Sequence, residues 1–291
     1  MENAAGAPVI IGATGGSGTR AVQRIVQKAG YYMGAEETLA KSRDALSFQG
    51  LNKGIPDFLR GWLEGAPEGG DELHRAYEER LEVHLARLAE RNQPWGWKMP
   101  WSMLLLPFLH AFHGDLRFIH VVRDGRDMVL SRNKNQLRAV GDVVLSPSDF
   151  SGPPELAAAK FWARTNLLAA DYGEAELSSN YLRVRYEDLC SNPIETTSAI
   201  FSFLGSDQSV HVAAAEVRPS AGRGRWRSLD ADLQAQLDAA IGPALDRFGY
   251  KREPLSRIAQ LLRPVSRPAL DSISRIRARR SRRSNQNPQL P

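Results

Sequence analysis

Short apolar runs alternate along the chain with longer segments whose apolar residues recur every three or four positions. The first run, Pro8–Gly12, is rich in β-branched residues and leads into a glycine-rich stretch. The next segment has apolar residues at Val22, Ile25 and Val26 and ends at Gly30, a pattern typical of a helix. The chain is therefore predicted to begin with a strand, a glycine turn and a helix.

The same alternation recurs further along the chain. Strands are predicted at Trp95–Met99, Leu116–Val122 and Tyr181–Tyr186. Helices are predicted over residues 71–92, 103–112, 128–137, 155–172, 193–204 and 230–248, with loops and short helices over 31–70 and a loop over 140–155. Strands that alternate with long helices need crossover connections, so we expect a three-layer α/β/α fold around a central, mainly parallel sheet. Ligands of such sheets bind beyond the C-terminal ends of the strands.

The charge is distributed unevenly along the 291 residues, whose formal net charge is +5. Residues 252–291 contain ten arginines and two acidic residues, a net +8, which leaves residues 1–251 with 28 basic and 31 acidic residues, a net −3. We therefore predict a folded domain over 1–251 and a basic, weakly ordered tail over 252–291. A mildly acidic body argues against specific nucleic-acid binding, whereas the tail is a candidate contact for an anionic surface.

Cysteine usage and hydropathy predict a cytoplasmic setting. Cys190 is the single cysteine, residues Met1–Pro8 lack the features of a secretory signal, and no apolar stretch approaches about 18 residues. We expect a soluble protein, with the basic tail as a candidate contact to the inner face of the membrane.

The glycine turn indicates an anion site, because backbone N–H groups and a helix N-terminus attract phosphate or sulfate. The P-loop pattern of nucleoside triphosphatases fails, since Ala13 stands at its first glycine and Thr19 at its lysine. Gly12, Gly15 and Gly18 match the spacing of an NAD(P)-dependent Rossmann oxidoreductase. The residues that follow lack a clear second strand ending in a ribose-binding acid, and no tyrosine has a lysine four positions later.

The chain resembles the sulfotransferases that use 3′-phosphoadenosine 5′-phosphosulfate (PAPS) at four separated motifs. Gly15–Arg20 is similar to the family's 5′-phosphosulfate loop, and Phe118–Asp127 with Ser131 to its 3′-phosphate element. Tyr181–Leu189 resembles the family's strand and Tyr-Glu-Asp-Leu turn, and Gly222–Arg227 its C-terminal loop that closes over the nucleotide. The four motifs occur in the family's order.

The resemblance implies transfer of a sulfuryl group from PAPS to a hydroxyl or amine, with release of adenosine 3′,5′-bisphosphate (PAP) and without a metal. The acceptor would be a small molecule, a glycan or a lipid. The implied donor-binding residues are Gly15, Gly16, Ser17, Gly18, Thr19, Arg20, Arg123, Ser131, Tyr186, Arg223, Gly224, Arg225 and Trp226. A Trp-Lys-x-Pro element at residues 97–100 makes the resemblance closest to bacterial members.

The resemblance marks Lys98 as the cation that stabilises the leaving oxygen. Many members place a basic residue directly before the loop serine, where this chain has Gly16, and Arg20 is the candidate substitute. Arg126 and Asp127 are expected to be structural, pairing or capping around the turn after the third predicted strand.

The acceptor needs a general base, which is normally a carboxylate or a histidine. The carboxylate candidates are Glu36, Glu37 and Asp44, in the loop after the first helix. The histidine candidates are His110, His113 and His120. Trp162 and Asn166, one helical turn apart, are candidates to face the acceptor. A nucleotide-binding or anionic-surface module without turnover is a further alternative.

Overall fold

Four parallel strands form the central sheet of the described chain. The computed structural model describes residues 6–252 except 42, 49, 68, 89–92 and 220–221. The strands are β1 (Val9–Ala13), β2 (Gly96–Lys98), β3 (Arg117–Val122) and β4 (Tyr181–Arg185), and their order in the sheet is β2-β1-β3-β4. Because all neighbouring pairs are parallel, the C-terminal ends of the strands meet at one edge. The predicted central parallel sheet is confirmed.

Eleven α-helices connect and cover the strands in the described residues. They are α1 (Thr19–Lys28), α2 (Ile55–Glu64), α3 (Asp71–Leu85), α4 (Leu106–His113), α5 (Gly125–Met128), α6 (Asn135–Val144), α7 (Pro154–Tyr172), α8 (Tyr186–Ser191), α9 (Pro193–Leu204), α10 (Val210–Ala214) and α11 (Ala231–Arg247).

The alternation of side chains along β1 produces the layers. Val9, Ile11 and Ala13 pack with apolar residues of α1, α9 and α10 on one face of the sheet. Ile10 belongs to the cluster on the other face, with residues of α2, α3, α4 and α7. Helices therefore cover both faces, which confirms the three-layer α/β/α arrangement.

The segment after β2 differs from the prediction of one helix over residues 103–112. A 3₁₀ helix, Pro100–Leu105, comes first, and α4 follows it. This 3₁₀ helix lies directly on β1, because a Cβ added at Gly12 would be 2.8 Å from the backbone nitrogen of Met103. The tight crossing requires a residue without a side chain at that point of β1.

One other predicted boundary was wrong. The helix expected over 128–137 is replaced by two helices. The short α5 comes first, and Asp124 caps it through the N–H of Arg126. The second is α6, which continues into the predicted loop as far as Val144.

The described part of residues 31–70, where loops and short helices were expected, contains three 3₁₀ helices and the ten-residue α2. The buried residues Ile55, Leu59 and Trp62 of α2 recur at helical spacing.

Helices α9 and α11 agree with the prediction except in one cap. Pro193 begins α9 as predicted, but the Asn192 side chain makes no capping hydrogen bond. Asp230 caps α11, accepting the N–H of Leu233 at 2.8 Å.

The predicted basic tail lies outside the described residues except for Arg252, so its boundary stays a prediction. Among the described residues, no helix is both long and apolar enough to span a bilayer.

Candidate functional site

The turn between β1 and α1 presents the N-terminus of a helix at the C-terminal edge of the sheet. Gly16 and Gly18 have φ of +100° and +88°, a region that favours glycine. Gly18 is the residue before α1. No side chain of the described residues caps α1, and the first turn of α1 contains no acidic residue. The N–H groups of that turn lack intrahelical partners and carry the positive end of the helix dipole. The turn is therefore able to bind an anion.

Buried hydrogen bonds fix the shape of this turn. Gln136, on α6, accepts the N–H of Gly15 at 2.8 Å and donates to the carbonyl of Ala13 at 3.1 Å. The Ser17 hydroxyl donates to the carbonyl of Thr14 at 2.8 Å and is fully buried. Ser17 therefore stabilises the turn instead of pointing into a cavity. Gln136 was missed because nothing in the sequence relates it to a turn that lies 121 residues earlier.

Tyr186, at the start of α8, packs against the same turn. A Cβ added at Gly18 would lie 2.2 Å from a ring carbon of Tyr186, so only glycine fits there. The ring is 3% exposed, and the Arg123 guanidinium lies 5.0 Å from its centroid. The ends of β3 and β4 are thereby joined to the glycine turn.

Arg123 follows β3 and forms the wall opposite α1. It is 8% exposed, and its Nη1 donates to the carbonyl of Gly16 at 3.4 Å. Its buried Nε has no hydrogen-bond partner in the part of the chain that the structure describes. Ser131 lies nearby, since its Oγ would be 2.9 Å from a Cβ at Gly16. A guanidinium with a spare donor beside a hydroxyl suits a phosphate group.

Lys98, at the end of β2, supplies a buried cation. Its side chain is 1% exposed, and Nζ donates to Oδ1 of Asp44 at 2.5 Å. Burial lowers the pKa of Lys98, and the Asp44 carboxylate opposes that shift. The side chain of Asp44 is 29% exposed, so this end of the pair reaches solvent.

The other two predicted carboxylates lie apart from Lys98. Glu36 accepts two hydrogen bonds from Arg43, at 2.8 and 3.0 Å, and Glu37 accepts one from Arg87 at 2.6 Å. Both acids are exposed, and neither lines the cavity that contains Lys98. Hydrogen bonding to Arg43 lowers the pKa of Glu36. Asp44 is thus the predicted acid that the fold brings to the buried lysine.

The three histidine rivals are also remote from the cavity. His110 and His113 lie within hydrogen-bond distance of the hydroxyls of Tyr172 and Tyr77. His120 is fully buried, and burial lowers its pKa to about 4.

The residues predicted to face the acceptor are internal as well. Asn166 lies 2.9 Å from Nε2 of His120 and donates to the carbonyl of Trp162. Trp162 is 1% exposed. Helix packing accounts for both side chains in this structure, and contact of Trp162 and Asn166 with the acceptor stays a prediction.

The glycine turn, Lys98 and Arg123 surround one cavity of about 600 Å³. Its cationic lining residues are Arg20, Lys41, Lys98, Arg123 and Arg218, against one carboxylate, Asp44. The remaining lining residues are Gly16, Gly18, Thr19, Ala21, Pro100, Asn133 and Tyr186. Sequence reasoning missed Lys41 and Arg218, which lie outside the recognisable motifs. The excess of positive charge favours an anionic ligand.

The 222–227 loop (Gly222–Arg227) does not contribute to the described lining of this cavity. Contact of Arg223, Gly224, Arg225 and Trp226 with the nucleotide therefore stays a prediction. Trp226 is 1% exposed, and the guanidinium of Arg126 lies 3.7 Å from its ring centroid. Trp226 therefore anchors the loop and has no free face for stacking. Arg223, Gly224 and Trp226 line a second cavity of about 590 Å³.

Arg126 and Asp127 have the structural surroundings that the sequence predicted. Arg126 is 2% exposed and pairs with Asp124 at 2.8 Å and Asp238 at 3.0 Å. Asp127 accepts the N–H groups of Gly224 and Trp226. Among the described residues, no group of three or more His, Cys, Asp or Glu side chains could hold a metal ion.

Residues 8–209 match the model of the Sulfotransferase family. The chain belongs to the sulfotransferase family. The match covers the first three motifs, whereas the 222–227 loop lies beyond it. No curated protein matches the sequence significantly.

Solved sulfotransferases share the fold at low sequence identity. Sulfotransferase STF9 from Mycobacterium avium superposes with a TM-score of 0.50 at 13% identity, over 85% of this chain and 78% of that chain. Sulfotransferase STF1 from Mycobacterium tuberculosis H37Rv superposes with a TM-score of 0.46 at 16% identity, over 82% of this chain and 77% of that chain. Retinol dehydratase in complex with androsterone and the inactive cofactor PAP superposes with a TM-score of 0.45 at 14% identity, over 84% of this chain and 81% of that chain.

Proposed function

We propose that this sulfotransferase transfers a sulfuryl group from PAPS to a hydroxyl or amine acceptor and releases PAP. The observation that carries the proposal is the convergence of the glycine turn, Arg123 and the Lys98–Asp44 pair on one cavity at the C-terminal edge of the sheet. Each group follows the end of a different strand or lies beside one, as expected for a ligand site of a parallel sheet.

The cavity residues fit both ends of the donor. The N-terminus of α1, with Gly16, Gly18 and Thr19 at the cavity, suits the 5′-phosphosulfate. Arg123, whose buried Nε has no hydrogen-bond partner in the described residues, suits the 3′-phosphate together with Ser131. Tyr186 would lie near the adenine. Arg20 adds a cation at the helix N-terminus, beside the glycine that replaces the family's usual basic residue.

Lys98 has the properties of the cation that assists departure of the nucleotide. PAPS, when bound, supplies an activated sulfuryl group whose transfer places negative charge on the leaving oxygen. A buried ammonium group stabilises such charge more strongly than an exposed one, because water screens it less. The pair with Asp44 holds Lys98 in place inside the cavity.

Asp44 is the residue that we assign as general base. It is the one carboxylate among the described cavity-lining residues, and its partly exposed side chain can receive the proton of an acceptor hydroxyl. Proton transfer to Asp44 neutralises the carboxylate and weakens its ion pair, so the ammonium group of Lys98 can interact with the leaving oxygen. The acid and the cation of the pair would therefore separate as the reaction proceeds.

The oxidoreductase alternative is not supported by the topology. In a dinucleotide-binding unit, a second strand ending in an acidic residue follows the first helix. Between α1 and β2, the described residues form two isolated β-bridges and no strand. These bridges join Tyr32 to Trp95 and Leu39 to Ala45.

The proposal is tested by incubating the purified chain with PAPS and a panel of alcohols, phenols, sugars and amines while PAP release is measured. We expect acceptor-dependent PAP release that is lost in Lys98→Ala and retained in Lys53→Ala, which changes an exposed lysine. PAP binding without release for any acceptor class would instead favour a nucleotide-binding module without turnover.

A further inference from the structure

Asp127 joins the anion-binding wall of the cavity to the 222–227 loop. Its side chain, on α5, is 1% exposed. Oδ2 accepts the N–H of Gly224 at 2.6 Å and also lies 3.5 Å from Nη2 of Arg123. Oδ1 accepts the N–H of Trp226 at 3.1 Å. One buried carboxylate therefore contacts both Arg123 and the backbone of a loop about 100 residues away.

The contacts to the loop are specific to a carboxylate at this position. An ionised carboxylate accepts at both oxygens, and its hydrogen bonds to backbone N–H groups are stronger than neutral ones. An asparagine in the same orientation has an acceptor oxygen at one of these positions and an NH₂ donor at the other, so one of the two N–H groups loses its acceptor. The charge also pairs with the guanidinium of Arg123, so the same group orients both partners.

The loop is anchored at these two residues, whereas its arginines are exposed. Trp226 packs beneath Arg126, which Asp124 and Asp238 hold. Arg223 and Arg225 are exposed, and Arg225 donates to the carbonyl of Leu130. The position of the exposed arginines therefore depends on the Asp127 contacts to Gly224 and Trp226.

We propose that Asp127 is a positioning residue that couples anion binding at Arg123 to the placement of the 222–227 loop. The inference rests on the proposed function, because the anion at Arg123 is taken to be the 3′-phosphate of PAPS or PAP. A phosphate that attracts the Arg123 guanidinium moves it relative to Oδ2 of Asp127. Because Oδ2 also accepts the N–H of Gly224, the position of the 222–227 loop changes with it.

The sign of one measurement separates this role from a simple charge effect. If Asp127 acted only as a negative charge beside Arg123, its removal would relieve repulsion and strengthen the binding of an anion. If Asp127 positions Arg123 and the loop, its removal weakens binding because both partners lose their orientation. A glutamate at the position keeps the charge but displaces the carboxylate by one methylene.

The test measures PAP affinity of the full chain by calorimetry for wild type, Asp127→Asn and Asp127→Glu. We expect both variants to bind PAP about tenfold more weakly, the size of one charge-assisted hydrogen bond. Asp142→Asn, which changes an exposed aspartate on α6, is the matched control and should bind as wild type. Equal or tighter binding by Asp127→Asn would overturn the proposal.

Trypsin cleavage after Arg223 and Arg225, followed by mass spectrometry, reports the loop directly. PAP should slow these cleavages in wild type, and should not do so in Asp127→Asn at PAP concentrations that saturate both proteins. If wild type does not bind PAP, the proposed function fails. If wild type binds PAP but its loop is cleaved at the same rate with and without PAP, the coupling fails while the proposed function stands. This comparison uses wild type alone, so it does not depend on the folding of the variants.

Discussion

The donor end of the cavity, which is the glycine turn with Arg123, is built differently from the acid-bearing segment, which follows α1 and contains Asp44. The glycine turn and Arg123 directly follow strands of the sheet and are fixed by buried contacts with Gln136 and Tyr186. Asp44 lies among short 3₁₀ helices and exposed ion pairs. The sheet therefore positions the donor end directly, whereas Asp44 is positioned through its ion pair with Lys98 and a backbone hydrogen bond from Ala40.

The difference teaches where variation of the acceptor is structurally easy. Loops on a rigid scaffold tolerate change better than the elements that they connect. Residues at the donor end are constrained by positive φ and close packing against Tyr186, whereas the acid-bearing segment consists of turns and short 3₁₀ helices.

Lys98→Ala should lower kcat by about 10³-fold, the range found when a preorganised stabilising group is removed. PAP affinity should change far less, because Lys98 acts on charge that develops during transfer. Steady-state rates and calorimetry measure the two quantities. A variant that loses kcat and PAP binding together, with an unchanged thermal midpoint, would contradict this assignment.

Asp44→Asn should lower kcat by about 10²-fold, within the range for removal of a general base. The substitution keeps the size of the side chain and a hydrogen-bond acceptor for Lys98. Steady-state rates at saturating acceptor measure the loss, and PAP calorimetry shows whether the donor site is intact. A variant with the kcat of wild type would show that another group takes the proton.

The alkaline limb of the rate profile should lie below the ordinary lysine range. Lys98 must be protonated to stabilise the leaving oxygen, so activity falls as pH rises through its pKa. Burial lowers that pKa, so the midpoint of the alkaline fall in kcat/KM should lie below a pH of about 10.4. Circular dichroism at each pH excludes unfolding as the cause. A limb at or above the ordinary value would contradict the buried state of Lys98.

Gly18→Ala should weaken PAP binding by about tenfold, because strain of roughly 1–3 kcal/mol accompanies a side chain at such a φ and a contact with Tyr186 is added. The matched control is Gly30→Ala. Gly30 has φ of +97° but no atom within 4 Å of an added Cβ. Both variants should lose stability, and only Gly18→Ala should lose PAP affinity. Equal PAP affinities would show that Tyr186 does not fix the turn.

Glu36→Gln and Glu37→Gln should change kcat by less than about twofold, since exposed ion pairs contribute little. Acceptor assays of the two variants beside Asp44→Asn complete the comparison. A loss in either one as large as that of Asp44→Asn would mean that the segment rearranges when the acceptor binds.

The donor end could be predicted from sequence because local rules determine it. A β-branched run, glycines with positive φ and an uncapped helix start are all encoded within residues 9–28. Arg123 and Tyr186 were found through the resemblance to the sulfotransferases, whose motifs mark both positions. The choice of Asp44 over Glu36 and Glu37 could not be predicted, since it depends on Lys98, which is 54 residues away in the chain.

The fourth motif shows a second limit of sequence reasoning. Its residues were expected at the nucleotide, but Trp226 is buried beneath Arg126, and Asp127 holds the loop. Motif identity gave the location of the loop along the chain but not the side chains that it exposes. Packing against α5, whose Asp127 lies 97 residues before Gly224, determines that outcome.

The central claim is that the cavity between the glycine turn, Lys98 and Arg123 binds the PAPS nucleotide. Its most direct test is calorimetric titration of the full chain with PAP and, separately, with NADP. The account predicts PAP binding that Arg123→Ala weakens by at least about tenfold and that Arg132→Ala, an exposed control, leaves unchanged. Binding of NADP but not PAP, or PAP binding unaffected by Arg123→Ala, would contradict it.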